Sequence, residues 1–167
     1  MIIVCGLAQA QEQITTLKAK SVIGILSPET PHPVYEGILP EHHLRLTFND
    51  IDNETPGLKT VQMTDAEKLV SFIRAWKKDA PLLIHCWAGI SRSTATAFAA
   101  MCILRPEIAE MEHAQNLRQA SPSATPNRLI THKVDQILNR HGRMSHAIES
   151  IGRGANAFSG SPFILDF

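Results

Sequence analysis

Apolar residues come in short blocks along the first half of the chain and in helical stripes along the second. Met1 to Cys5 is an unbroken apolar run rich in Ile and Val, and Ser21 to Leu26 is a second such run that ends at the turn pair Ser27-Pro28. Runs this short predict buried strands. Between them, Gln9 to Lys18 sets Ile14 and Leu17 among polar residues, which suits a helix crossing over between neighbouring strands. His43 to Phe48 alternates Leu44, Leu46 and Phe48 with Arg45 and Thr47, the period-two pattern of a half-buried strand that ends at Asn49-Asp50. Pro81 to Ile84 is wholly apolar, as expected of a central strand covered on both faces.

Helical spacing takes over elsewhere. Thr64, with Glu67 three residues on, has capping-box spacing and predicts a helix to about Lys78 carrying Leu69, Val70, Ile73 and Trp76. From Arg92 or Ser93 to Leu104 the chain is Ala-rich and almost continuously apolar, so this helix is expected to be buried nearly all round. Pro106 opens another helix to about Gln119. Thr125 as N-cap and Pro126 at the first helical position open a third, with Leu129, Ile130, Val134, Ile137 and Leu138 as its apolar stripe. A short helix is expected after Arg143, and Gly152 to Gly160 reads as weakly structured. The pattern predicts an α/β domain over residues 1–150, with one central, mainly parallel (mixed) sheet flanked by helices, followed by a loose tail over 151–167.

Composition narrows the function classes. A chain of 167 residues with 44% hydrophobic content can bury one sizeable core. Lys+Arg and Asp+Glu balance at 16 each and no basic block appears, which argues against nucleic-acid or membrane partners. No apolar stretch approaches the ~18 to 20 residues of a membrane span, and Met1 to Leu7 lacks the charged start of an export signal, so a cytoplasmic home is expected. Three cysteines then read as reduced thiols rather than a disulfide framework. The eight histidines show no paired-ligand spacing with cysteines, and neither a metal nor a cofactor is expected.

The informative stretch is His85-Cys86-Trp87-Ala88-Gly89-Ile90-Ser91-Arg92-Ser93, between a predicted buried strand and a predicted helix. A loop there turns backbone N–H groups into one concavity at the positive end of a helix dipole, so residues 87–92 form an oxyanion-binding loop that suits inorganic phosphate or a similar anion. Cys86 at the start of the loop and Arg92 at its close can meet the same guest. The N–H array, the dipole and Arg92 all favour thiolate over thiol, which makes Cys86 a nucleophile. Arg92 offers a planar fork for two oxygens of a phosphoryl group and can tighten on them in the transition state. Gly89 allows backbone angles closed to other residues. Ser93 or Ser91 is placed to donate to the sulfur as it leaves, and His85 to orient the loop. Cys5 and Cys102 read as inert core.

HCWAGISRS resembles the His-Cys-x5-Arg-Ser/Thr signature of the cysteine-dependent protein tyrosine phosphatase superfamily, and is most similar to its small dual-specificity branch. The resemblance spans roughly Leu44 to Leu138. It implies a sheet flanked by helices, a phosphocysteine intermediate, no metal, and an aspartic acid on an upstream loop as general acid. Asp50 and Asp52 are the candidates. Asp50 is favoured because it directly follows the strand ending at Phe48, whereas an Asx turn or helix-approach cap is the alternative role for either. By the same resemblance Asn127 braces the phosphate loop, with helix capping as its alternative. Trp87 either lines the mouth or packs against the strands.

The function expected from these residues is hydrolysis of phosphotyrosine, with phosphoserine and phosphothreonine as further candidates, in a phosphorylated protein or peptide. The chain is short and shows no inserted loop that would deepen the pocket, and the loop lacks the lysines that additional lipid phosphates would call for. Two rivals are a phosphopeptide-binding module without turnover and a sulfur-transfer or arsenate-reducing enzyme.

Overall fold

The structure is a computed structural model and describes residues 1–166. In chain order the elements are β1 (Ile2–Gly6), α1 (Ala10–Leu17), β2 (Ser21–Leu26), β3 (His43–Thr47), α2 (Met63–Ala75), β4 (Leu82–Cys86), α3 (Arg92–Leu104), α4 (Glu110–Ala120), α5 (Arg128–Ile137), α6 (Arg143–Ile151) and β5 (Phe163–Leu165). The strands form one mixed sheet in the order β3-β2-β4-β1-β5. All pairs are parallel except β1 with β5.

Strands β1, β2 and β4 are buried on both faces, which is why their sequences are continuous apolar runs, whereas the edge strand β3 is half-buried and alternates. Because side chains alternate across a strand, Ile3 and Cys5 of β1 join Val22 and Leu83 against α1 and Tyr35, whereas Ile2 and Val4 join Ile23 and Ile84 against the helices of the other face. That second face carries the larger core, in which Phe98 of α3, Ile73 of α2 and Val134 of α5 are fully enclosed. Helix α3 lies at its centre, with Arg92 to Cys102 all buried.

Three helix starts differ from expectation. Helix α2 begins at Met63, and the acidic residue that reaches back to its cap is Asp65, whose Oδ2 accepts from Gln62 N at 2.9 Å, rather than Glu67. Residues 106–109 form a turn closed by Ile108 N on Arg105 O, so Pro106 precedes α4 by four residues rather than opening it. Helix α5 is capped by Asn127, not Thr125, because Asn127 Oδ1 accepts from Ile130 N at 3.0 Å.

The segment read as a loose tail is built into the fold. Strand β5 pairs antiparallel with β1, in register Ile3 to Ile164, and satisfies a sheet edge that would otherwise present unpaired backbone groups. Among the described residues no helix is long and apolar enough to cross a membrane.

Candidate active site

Residues 87–91 join the end of β4 to the start of α3, at the carboxyl ends of the parallel strands, where open α/β sheets form their ligand crevices. The loop's carbonyls face the surrounding protein. Trp87 O accepts from Leu7 N, Ala88 O from Gly160 N, Ile90 O from Thr125 N, and Ser91 O from Asn127 N and Ala95 N. By contrast, among the described residues no N–H from Trp87 to Ser91 donates to a protein acceptor. Carbonyls anchored outward and N–H groups left uncommitted at a helix N-terminus make an anion nest.

Gly89 shapes this loop, with φ of +75°. A Cβ there would stand 2.7 Å from both Cys5 C and Gly6 N, so the loop lies backbone to backbone on the end of β1. The close approach that Gly89 permits is therefore to β1 itself.

Cys86 is buried at the last position of β4, with Ser93 Oγ 3.2 Å from its sulfur. Of the two serines it is therefore Ser93 that stands beside the sulfur, whereas Ser91 Oγ turns away and donates to Asp50 Oδ1 at 2.6 Å. Arg92 is also buried. Its Nη1 donates to Phe48 O at 2.8 Å and to Ser27 Oγ at 3.1 Å, which fixes the plane of the guanidinium. Nε has no hydrogen-bond acceptor and lies 3.6 Å from Asp50 Oδ2. One corner of the guanidinium is thus anchored and Nε faces the Asp50 carboxylate, while Nη2 makes no hydrogen bond among the described residues.

The two aspartates separate clearly. Asp50 reaches the loop, accepting from Ser91 Oγ and from Asn127 Nδ2 at 3.0 Å. Asp52 Oδ1 instead accepts from Arg128 N at 3.2 Å, at the N-terminus of α5. Asn127 fills both roles foreseen for it. It caps α5, and it ties the loop after β4 to the Asp50 loop through its N–H on Ser91 O and its Nδ2 on Asp50 Oδ1 and Ile51 O.

Behind the loop, His85 is fully buried with Nε2 2.9 Å from Tyr35 OH, and Tyr35 also packs on His43 at 5.3 Å between ring centroids. Burial holds His85 down to about 4, so it is neutral at physiological pH and serves as a hydrogen-bonding support. Burial also pushes the Cys5 and Cys102 thiols up to about 12. Cys5 is paired in register with His85, so its side chain leaves the sheet on the face opposite Cys86. Among the described residues, no group of three or more His, Cys, Asp or Glu side chains is placed to hold a metal ion.

Sequence reasoning missed Ser27, Tyr35 and Phe158. Ser27 was legible only as a turn residue, and Tyr35 and Phe158 sit in stretches without periodicity. Phe158 meets Trp87 edge to face at 5.6 Å and 83°, and the half-exposed Trp87 ring is not buried against the strands.

No protein-family model matches the chain, and no curated protein does. Solved structures do. DUSP15 is 20% identical over 89% of this chain and 90% of that one, with a TM-score of 0.64. Human DUSP28 is 18% identical over 90% and 95%, with a TM-score of 0.60. The human tyrosine phosphatase-like serine/threonine/tyrosine-interacting protein is 16% identical over 84% and 92%, with a TM-score of 0.62. The likeness is one of fold: the chain is built on the α/β architecture of the small dual-specificity phosphatases.

Proposed function

We propose that this protein is a cysteine-dependent phosphatase that hydrolyses phosphotyrosine in protein or peptide substrates, with phosphoserine and phosphothreonine monoesters as further substrates. The observation that carries this reading is that Cys86 and Arg92 close the two ends of a loop whose N–H groups are uncommitted at the start of α3, with Ser93 Oγ 3.2 Å from the sulfur and the Asp50 carboxylate 3.6 Å from Arg92 Nε. An oxyanion seated there presents its phosphorus to the sulfur.

Cys86 attacks phosphorus as the bond to the leaving oxygen breaks, and Asp50 passes its proton to that oxygen. The equatorial oxygens, flattening in the transition state, are held by Arg92 and the loop N–H groups. Water then attacks the phosphocysteine and gives a proton to Asp50. The sulfur leaves as a thiolate that accepts from Ser93 Oγ, and inorganic phosphate is released. Reduced Cys86 is required throughout, which a cytoplasmic setting maintains.

The binding-module reading is disfavoured by Asp50, which stands at hydrogen-bond distance from the loop's own Ser91. Sulfur transfer or arsenate reduction is disfavoured because Cys5, on the opposite face of the sheet, is poorly placed to resolve a bond to Cys86.

Hydrolysis of a small aryl phosphate tests the proposal. Wild-type turnover, lost by at least about 10³-fold in Cys86→Ser while vanadate binding persists, is the expected result. Turnover that survives Cys86→Ser, or a wild type that binds vanadate without turnover of aryl phosphates or phosphotyrosine peptides, overturns it.

A further inference from the structure

The segment after α6 does more than lead to the last strand. Arg118 holds its start, donating to Ile151 O and Gly152 O at 2.8 Å each. Gly154 N donates to Thr125 Oγ1, Ala155 N to Pro122 O, and Gly160 N to Ala88 O of the phosphate loop. Two glycines make this close seating possible: a Cβ on Gly154 would meet Ala124 O at 2.6 Å, and one on Gly160 would meet Gly89 O at 2.9 Å.

So anchored, the segment presents its side chains at the mouth. It borders an open hollow of about 470 Å³ whose wall includes Ile90, Ser91, Thr125, Arg153, Asn156 and Phe158. No acidic residue lines it. Arg153 is exposed and makes no ion pair or hydrogen bond among the described residues. Phe158 of its wall, 85% exposed, meets Trp87, the residue after Cys86 and 50% exposed, two large rings that folding leaves in water.

We propose that residues 153–158 form a specificity subsite that takes an acidic side chain lying close to the phosphotyrosine in a substrate peptide. Arg153 pairs its guanidinium fork with the carboxylate, and the Trp87 and Phe158 rings pack against the phosphotyrosine ring. This rests on the phosphatase reading above. The hollow shares Ser91 with the phosphate loop, so a neighbouring residue of the bound peptide falls within its reach. A cation with no internal partner, in a hollow without acidic groups, favours a carboxylate over a neutral or basic side chain.

The test compares kcat/KM for two phosphotyrosine peptides that differ only in having Glu or Ala beside the phosphotyrosine, alongside a small aryl phosphate. Taking the ratio of the two peptides on one enzyme cancels differences in folded fraction. In the full-length wild type the Glu peptide is expected to win by about fivefold at low salt, and the ratio to shrink as salt is raised. Arg153→Ala brings it close to one, and Arg153→Glu reverses it. A wild-type ratio near one, or a preference that persists in both variants, overturns the subsite and leaves the phosphatase reading standing. Failure to hydrolyse the aryl phosphate and both peptides overturns the phosphatase reading, and the subsite with it.

Discussion

Asn127 Nδ2 donates to Asp50 Oδ1 at 3.0 Å, joining residues 77 positions apart and tying the start of α5 to the loop that carries the proposed general acid. The same oxygen accepts from Ser91, so three separate segments meet at one carboxylate. Asp50→Asn is expected to lower kcat by about 10²-fold, and by less for an ester whose leaving group is already a stable anion. Asp52→Ala should cost about 1 kcal/mol of stability through α5 and keep kcat near the wild-type value. Asn127→Ala combines the two, losing the cap and the hold on Asp50. Rates across leaving groups, with urea denaturation of each variant, check all three.

Arg92→Lys keeps the charge and loses the fork. A lysine cannot hold Phe48 O and Ser27 Oγ while presenting a second edge to the guest. The expected result is a fall in kcat/KM of about 10² or more on an aryl phosphate, with weakened vanadate competition.

Ser93→Ala removes the hydroxyl that lies 3.2 Å from the Cys86 sulfur. Departure of the sulfur in the second step then slows more than attack in the first, so a burst of released phenol ahead of a slower steady rate is expected in stopped-flow traces.

Gly89→Ala meets two obstacles, a positive φ and a Cβ forced to 2.7 Å from the β1 backbone. A loss of about 2 kcal/mol or more is expected in denaturant unfolding, together with loss of turnover because the anion nest cannot keep its shape.

Buried histidines set an acid limit. Burial lowers His85 and His43 to about 4, against 6.5 for an ordinary histidine. Between these values the unfolded chain takes up protons that the folded chain refuses, so stability rises with pH across that window. It is full above about 6.5 and declines as pH falls toward about 4. Thermal unfolding from about pH 7.5 to 4.5 should show a falling Tm, and His43→Gln should flatten the slope.

How far the sequence spoke depended on how local each signal was. The strand β2 is legible residue for residue because its apolar run stops at a Ser-Pro turn, and α3 because its burial on all sides needs an Ala-rich composition. The starts of α4 and α5 were misjudged where proline was weighed above capping: at α5 it is a side-chain oxygen within reach of a free N–H that fixes the first turn, and Asn127 provides it. Strand β5 was illegible, since three residues carry almost no periodicity and their pairing with β1 exists only once β1 is in the sheet.

By itself the sequence determined the α/β class and singled out the loop after β4, with Cys86 and Arg92 at its ends as the proposed nucleophile and anion-binding fork, because those depend on residues a few positions apart on one strand, loop and helix. Only the tertiary structure decided the rest. It brought Asp50 rather than Asp52 to the loop, placed Ser93 rather than Ser91 beside the sulfur, set Tyr35 against His85, and tied residues 154–160 to Ala88, Pro122 and Thr125. Those relations join segments far apart in the chain, and their distances are fixed by how the helices and sheet edges pack, a quantity no local pattern carries.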